Sequence, residues 1–294
     1  MGSVLGFPGI DPMDAVVGAR IRRWRDQRGV AADDLAAALD LTPAPHRGGP
    51  RASEFRRHRR RHPRPSPAGV GAGVGYAGLL MARLYRAVFA GLGWFALILQ
   101  YGLMLKGDPQ TGAGELTLNF FSYFTILSNL MVALALTAPA VAPRSRLGRW
   151  SLSESVRAAV TMYIVVVGVV YHFLLAPTWN PQGWSLLANN LLHYVMPIAF
   201  AVDWLAFTPK GRLRWVDPAR WLAVVLVYGG WTLLHGKLSG WWPYWFVDVD
   251  KLGLGKAMIY FAGLLVFFLI VGLIVVAIDR TFGRRDRRLL SAQP

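Results

Sequence analysis

Six apolar segments, at approximately 85 to 105, 117 to 138, 157 to 176, 188 to 207, 221 to 236 and 257 to 278, constrain this chain more than any other feature. Most reach the ~20 residues that a helix needs to cross a bilayer. The fifth, about 16 residues, lies under the roughly 17 to 25 that a crossing helix spans, so it draws length from Gly236 onward or sits in thinner lipid. Charged residues make up only 16% of the chain, against roughly 25% in soluble domains, and mean hydropathy is positive at +0.36. The fold expected is all-α: a polytopic membrane protein of six transmembrane helices, not a soluble enzyme. With no Cys among 294 residues, disulfides, thiolate metal sites and cysteine nucleophiles are excluded.

Basic residues test this parse independently, because Lys and Arg are retained on the cytoplasmic side. Before the first span stand Arg83 and Arg86. The second loop holds Arg144, Arg146, Arg149 and Arg157, the fourth holds Lys210, Arg212, Arg214 and Arg220, and the tail holds Arg280, Arg284, Arg285, Arg287 and Arg288. Those 15 face only four on the other side: Lys106, Lys237, Lys251 and Lys256. Both termini are therefore expected in the cytoplasm, with the protein multi-pass in a cell membrane. Trp150, Trp179, Trp184, Trp204, Trp221, Trp241 and Trp242 fall near span ends, where amphipathic rings prefer to sit.

Residues 1 to 80 differ in kind. They carry 13 Arg against 7 Asp and Glu, are rich in Pro, Ala and Gly, and hold no apolar stretch long enough to span. A basic, mostly disordered extension is expected. Within it, residues 18 to 42 resemble the opening two helices of a Cro/repressor-type helix-turn-helix, but Pro43 and Pro45 stand where the recognition helix should begin. Without that helix nothing enters the major groove, so no specific nucleic-acid partner is expected. The run Arg56 to Arg61 reads as a solvated linker able to attract phosphate or anionic lipid non-specifically. Gly73, Gly75 and Gly78 match GxGxxG but follow a Pro/Gly stretch rather than a buried strand, which argues against a dinucleotide site.

Polar side chains inside a span are costly unless paired or used. In the second span Ser122, Thr125 and Ser128 or Asn129 recur at three- and four-residue intervals, placing a polar stripe on one helix face. In the fourth, Asn189, Asn190 and His193 do the same, and Pro197 follows one turn later. The expected topology puts Thr125 and His193 roughly 12 and 8 Å below the outer edge at 1.5 Å per residue. It places His172 of the third span and His235 of the fifth in the same layer. A hydroxyl and an imidazole at one depth suit a nucleophile and base acting on an ester carbonyl. The plainer reading of each residue alone is structural: Thr bonding its own helix, His joining neighbours. GxSxG, HExxH and P-loop motifs are absent, the histidines lack local carboxylate partners, and neither metal nor cofactor is expected.

Three segments in order resemble the androgen-induced protein family of six-span membrane threonine hydrolases, through bacterial integral membrane proteins of Pr-six-Pr type. They are Tyr123-Phe-Thr125-Ile-Leu-Ser-Asn129, Asn189-Asn-Leu-Leu-His193-Tyr-Val-Met-Pro197 and His235-Gly-Lys-Leu-Ser-Gly240-Trp-Trp-Pro-Tyr-Trp-Phe246-Val-Asp248. The resemblance covers residues 81 to 294 and implies a bacterial inner-membrane hydrolase of fatty acid esters of hydroxy fatty acids. It implies Thr125 as the nucleophile and His193 as the base; Ser128, Asn129, Asn189, His172 and His235, polar and in or near the same layer, are then expected to support the site or the substrate. The partner implied is a membrane lipid or lipophilic ester. Members of such a family begin just before their first span, so Met81 would be a natural start, and the upstream segment is expected to be either an appended fragment or the product of a mistaken gene start. The rival reading is a non-catalytic membrane protein, a small-solute carrier or scaffold. A carrier needs polar groups through the midplane, whereas below Asn129 and His193 the spans are largely apolar apart from Asp203 near the inner edge.

Overall fold

The computed structural model describes the backbone of residues 70–291 and the side chains of residues 78–283. The chain divides into two units, Met1–Arg64 and Pro65–Pro294. The first, with the helix-turn-helix resemblance at 18–42, lies outside the described residues. The described residues hold helices joined by loops and no strand, with ten α-helices: α1 (Val70–Gly107), α2 (Ala113–Phe121), α3 (Phe124–Val141), α4 (Arg146–Ser151), α5 (Glu154–Val170), α6 (Gly183–Asn190), α7 (Met196–Phe207), α8 (Asp217–Ser239), α9 (Val249–Leu252) and α10 (Leu254–Ser291). Residues 70–80, which composition assigns to the extension, are instead the first turns of α1, and Gly73, Gly75 and Gly78 lie within that helix.

Five helical stretches are long and apolar enough to cross a membrane: Gly78–Gly107, Phe124–Val141, Glu154–Thr178, Gly183–Phe207 and Leu254–Gly283. The protein is thus an all-α polytopic membrane fold. The fifth segment of the sequence parse lies in α8, whose 23 residues suffice in length, roughly 34 Å at 1.5 Å per residue. Its Gly229, Gly230, His235 and Lys237 dilute the apolar content, and α8 is not among the five. It ends at Gly240, whose φ of 71° puts the chain into the left-handed turn that reverses it toward the aromatic loop.

Two spans are irregular where function was expected. α5 passes through a π turn, Tyr171–Leu175, into a 3₁₀ turn at Ala176–Thr178; α6 joins α7 through a second π turn, Leu191–Val195. The expected single helix over 117–138 is broken. α2 closes with the Ser122 N–H on the Asn119 carbonyl at 3.0 Å, Tyr123 is extended at φ −81° and ψ 128°, and α3 starts afresh at Phe124. Helical periodicity continues across Asn119-Phe-Phe-Ser-Tyr-Phe-Thr125, so nothing in the pattern announces the break. It is tolerated because another helix satisfies what it frees: Tyr228 of α8 donates its hydroxyl to the Ser122 carbonyl at 3.0 Å, and Trp231 donates its indole N–H to Ser122 Oγ at 3.0 Å.

The core is built from α3, α5, α7 and α10, with Val132, Ala135, Leu136, Ala158, Met162, Ile164, Phe200 and Val276 fully buried. At one end of it lies an ionic cluster. Asp203 of α7 accepts from Arg86 Nε of α1 at 2.7 Å and pairs through its other oxygen with Arg157 Nη2 of α5. Arg157 also donates to Thr208 Oγ1 at 3.0 Å and to the Ala135 and Ser151 carbonyls at 3.2 Å each, with its guanidinium over the Phe200 ring. By charge counting Arg157 belongs to a loop. The structure corrects that: it is 1% exposed.

Candidate active site

The break before α3 sets the site's geometry. Thr125 is the second residue of an 18-residue helix, so its N–H has no acceptor one turn back. That N–H instead donates to the Tyr244 hydroxyl at 3.2 Å. Thr125 Oγ1 lies 3.4 Å from His193 Nε2 and 3.4 Å from Tyr244 Oη. These are long for hydrogen bonds but within the reach that a resting catalytic pair shows before substrate tightens it.

Proton directions follow from the partners. His193 Nδ1 stands 3.0 Å from the Asn189 carbonyl oxygen, which only accepts, so Nδ1 carries the ring proton. Nε2 is then the bare acceptor facing Thr125 Oγ1–H. The Asn189 carbonyl occupies the place that an orienting carboxylate holds in a triad, fixing tautomer and ring angle without adding a buried charge. Tyr171 stacks on the imidazole, ring centroids 3.9 Å apart and planes at 21°, and accepts from Asn189 Nδ2 at 2.7 Å. α5 approaches closely because Gly168 has no side chain: a Cβ there would stand 3.1 Å from the His193 carbonyl and 3.4 Å from Pro197.

Asn129 ties the two halves together, its amide donating to the Thr125 carbonyl at 2.9 Å and to the Leu192 carbonyl at 3.1 Å. Of the other side chains expected in this layer, Ser128 is fully buried with its hydroxyl unpartnered. His235 is buried with both ring nitrogens unpartnered, stacked on Trp231 and tilted against Trp241, and hydrogen-bonds to neither Thr125 nor His193. His172 is exposed and pairs with the Tyr194 hydroxyl at 3.2 Å. Common depth therefore brought one histidine of three to the hydroxyl, because depth along a helix says nothing of direction around it.

Space reaches the pair from two directions. A cavity of about 540 Å³, lined by Gln100, Tyr123, Thr178, Trp179, Asn189 and His193, opens beside the loops. A narrower apolar slot of about 80 Å³ runs between α5, α8 and α10 past Val166, Val170, Tyr228, Phe261 and Phe268. Thr125, Tyr171 and Tyr244 line both. A third groove, on the face of α5 and α7, joins His172 to His193.

Residue reasoning overlooked Tyr171, Tyr228 and Tyr244. The signal for the last was the run Trp241 to Phe246, too aromatic for an ordinary loop, but interfacial preference explains such rings equally well. Compared with family models, curated proteins and solved structures, the chain matches none.

Proposed function

We propose that this chain is an integral membrane hydrolase of lipid esters, with Thr125 as nucleophile and His193 as base. The observation that carries the proposal is the Thr125 Oγ1 to His193 Nε2 approach of 3.4 Å, backed by the Asn189 carbonyl and opening on two cavities. Oγ1 attacks the ester carbonyl carbon as its proton passes to Nε2. The tetrahedral intermediate collapses, the alcohol leaves with the proton from Nε2, and the acyl group stays on Thr125. Water, deprotonated by His193, then releases the carboxylic acid and restores the hydroxyl. The apolar slot suits an alkyl chain, and the wider, more polar cavity suits the other side of the ester. Resemblance to the androgen-induced family supports the same two residues and a fatty acid ester substrate. It also supports a bacterial inner membrane and α8 as a sixth span, while the basic-residue count supports cytoplasmic termini.

The test is hydrolysis of a long-chain ester by purified protein in detergent, with fluorophosphonate labelling alongside. Thr125→Ala is expected to bring hydrolysis to background and abolish labelling, and His193→Ala to lower the rate by about 10²–10⁴-fold, both with unchanged thermal stability. Labelling that persists in Thr125→Ala would remove the hydrolase reading in favour of a scaffold. A solute carrier is disfavoured by the apolar packing of Val132, Leu136, Met162 and Phe200 between the site and Asp203.

A further inference from the structure

Tyr244 is held more firmly than a loop tyrosine needs to be. Its ring lies parallel to Phe246 at 5.2 Å and 6°, meets the Tyr123 ring edgewise at 5.7 Å, and lines both cavities beside Thr125. Its oxygen accepts the Thr125 N–H at the start of α3, a hydrogen bond that favours negative charge on the phenol oxygen, while burial, the larger influence, raises the Tyr244 pKa from its ordinary value and keeps the proton in place. The Ile126 and Leu127 N–H groups are already taken by the Tyr123 carbonyl, each at 3.1 Å.

The Tyr244 hydroxyl faces Thr125, the Tyr228 hydroxyl and the Phe124 backbone, and of these only Thr125 Oγ1 belongs to the reacting pair. Tyr228 spends its own proton on the Ser122 carbonyl, and Thr125 directs its hydroxyl proton to His193 Nε2. With those two protons directed elsewhere, the Tyr244 O–H can be given to the lone pairs of Thr125 Oγ1 at 3.4 Å. When Oγ1 gives a lone pair to an ester carbonyl carbon, it becomes a poor acceptor. The carbonyl oxygen, bonded to the same carbon, becomes an anion, and a donor beside Oγ1 can turn to it. We propose that Tyr244 is the oxyanion donor of the site, its hydroxyl polarised by the α3 amide and turning from Thr125 Oγ1 to the negative oxygen of the tetrahedral intermediate. The proton stays on Tyr244 throughout; the hydrogen bond strengthens as charge develops and relaxes when the carbonyl reforms. The inference rests on the hydrolase reading.

Tyr244→Phe keeps the ring packing and removes only the hydroxyl. It is expected to lower kcat by about 10²–10³-fold, the effect of losing one oxyanion donor, with KM within about twofold of wild type and thermal stability retained. Replacing Tyr244 by 3,5-difluorotyrosine, nearly equal in size but more acidic, should move the alkaline limb of the kcat profile to lower pH, a shift that a packing role would not produce. This second variant decides the matter if Tyr244→Phe does not fold. Wild type without Thr125-dependent hydrolysis overturns the function and this inference together. Thr125-dependent hydrolysis that Tyr244→Phe leaves undiminished, or an unmoved alkaline limb, overturns this inference alone.

Discussion

Two polar clusters interrupt the apolar bundle, and they are built on opposite logic. Ten residues along α3 from Thr125 is Ala135, and ten residues beyond His193 is Asp203; both are met by Arg157. The two clusters therefore stand roughly 15 Å apart along the same helices. The Asp203 cluster is charged, and its partners converge from α1, α5 and α7, so that the carboxylate meets two guanidinium groups and Arg157 finds three further oxygens. The Thr125 cluster is neutral. Its hydrogen bonds are longer, and Ser128 Oγ, Asn129 Oδ1 and both His235 nitrogens in the same region of the fold have no partner. It opens on the cavity of about 540 Å³ and on the narrow apolar slot, neither of which Asp203 lines. A saturated polar cluster resists rearrangement and defines which helices pack together. A neutral site with spare capacity has something left to give a substrate.

Breaking the saturated end should have the largest effect on the protein itself. Asp203→Ala leaves two buried guanidinium groups without a carboxylate, and truncating one partner of a buried ionic set costs about 3–5 kcal/mol. The variant is expected to express poorly and melt well below wild type in detergent. Arg86→Met should cost less, because Asp203 and Arg157 remain a neutral pair. Thermal unfolding ranks the two, and whatever Asp203→Ala protein survives should still show Thr125-dependent labelling. Equal stability of Asp203→Ala and wild type would show that the cluster is not what joins these helices.

The next change probes the joint between the two halves of the Thr125 cluster. Asn129→Ala removes the amide that links the Thr125 carbonyl to the Leu192 carbonyl and leaves a buried acceptor unmatched, at a cost of about 1–3 kcal/mol. Because the lost bond sets the distance between α3 and the π turn carrying His193, hydrolysis should fall about tenfold, less than for either member of the reacting pair. Kinetics and melting of the same preparation separate the two effects. A rate as low as that of Thr125→Ala would make Asn129 a participant in the chemistry rather than a positioning residue.

The contrast between the clusters also marks what the sequence could disclose. The all-α membrane fold was legible because apolar length is a property of one segment, and five of the six expected segments meet helices long and apolar enough to cross. Thr125 and His193 were reachable through polar spacing, depth and motif resemblance. Arg157 was misassigned because a basic residue beside a span reads the same whether it faces solvent or turns inward to Asp203. The break at Ser122 and Tyr123 was invisible because its cost is met by Tyr228 and Trp231, more than 100 residues away in the chain. Tyr244 was hidden for a related reason: its role depends on an amide freed by that break. Properties that need two distant segments at once, and that neither polar spacing nor a motif marks in either, were the ones missed.

The smallest effect expected lies in the loop that carries Tyr244. Asp248 caps α9, accepting from the Lys251 N–H at 3.0 Å and pairing with its ammonium at 3.0 Å. Burial favours the neutral carboxyl, but the hydrogen bonds and charge from Lys251 outweigh it and hold the group below its ordinary value of 3.8. A carboxylate depressed in the folded state stabilises above the unfolded value, and that contribution is lost as pH falls through the folded one. Asp248→Ala should therefore cost about 1 kcal/mol near neutrality, the usual worth of such a cap, with the exposed ammonium adding little. The difference from wild type should shrink as the pH is taken below 3.8. Since the loop holds Tyr244 against the α3 amide, hydrolysis at neutral pH should drop a few-fold without any change in the Asp203 cluster. Melting curves of both proteins from neutral to acid pH provide the check: a stability gap that stays constant across that range would mean that the cap does not depend on the ionised carboxylate.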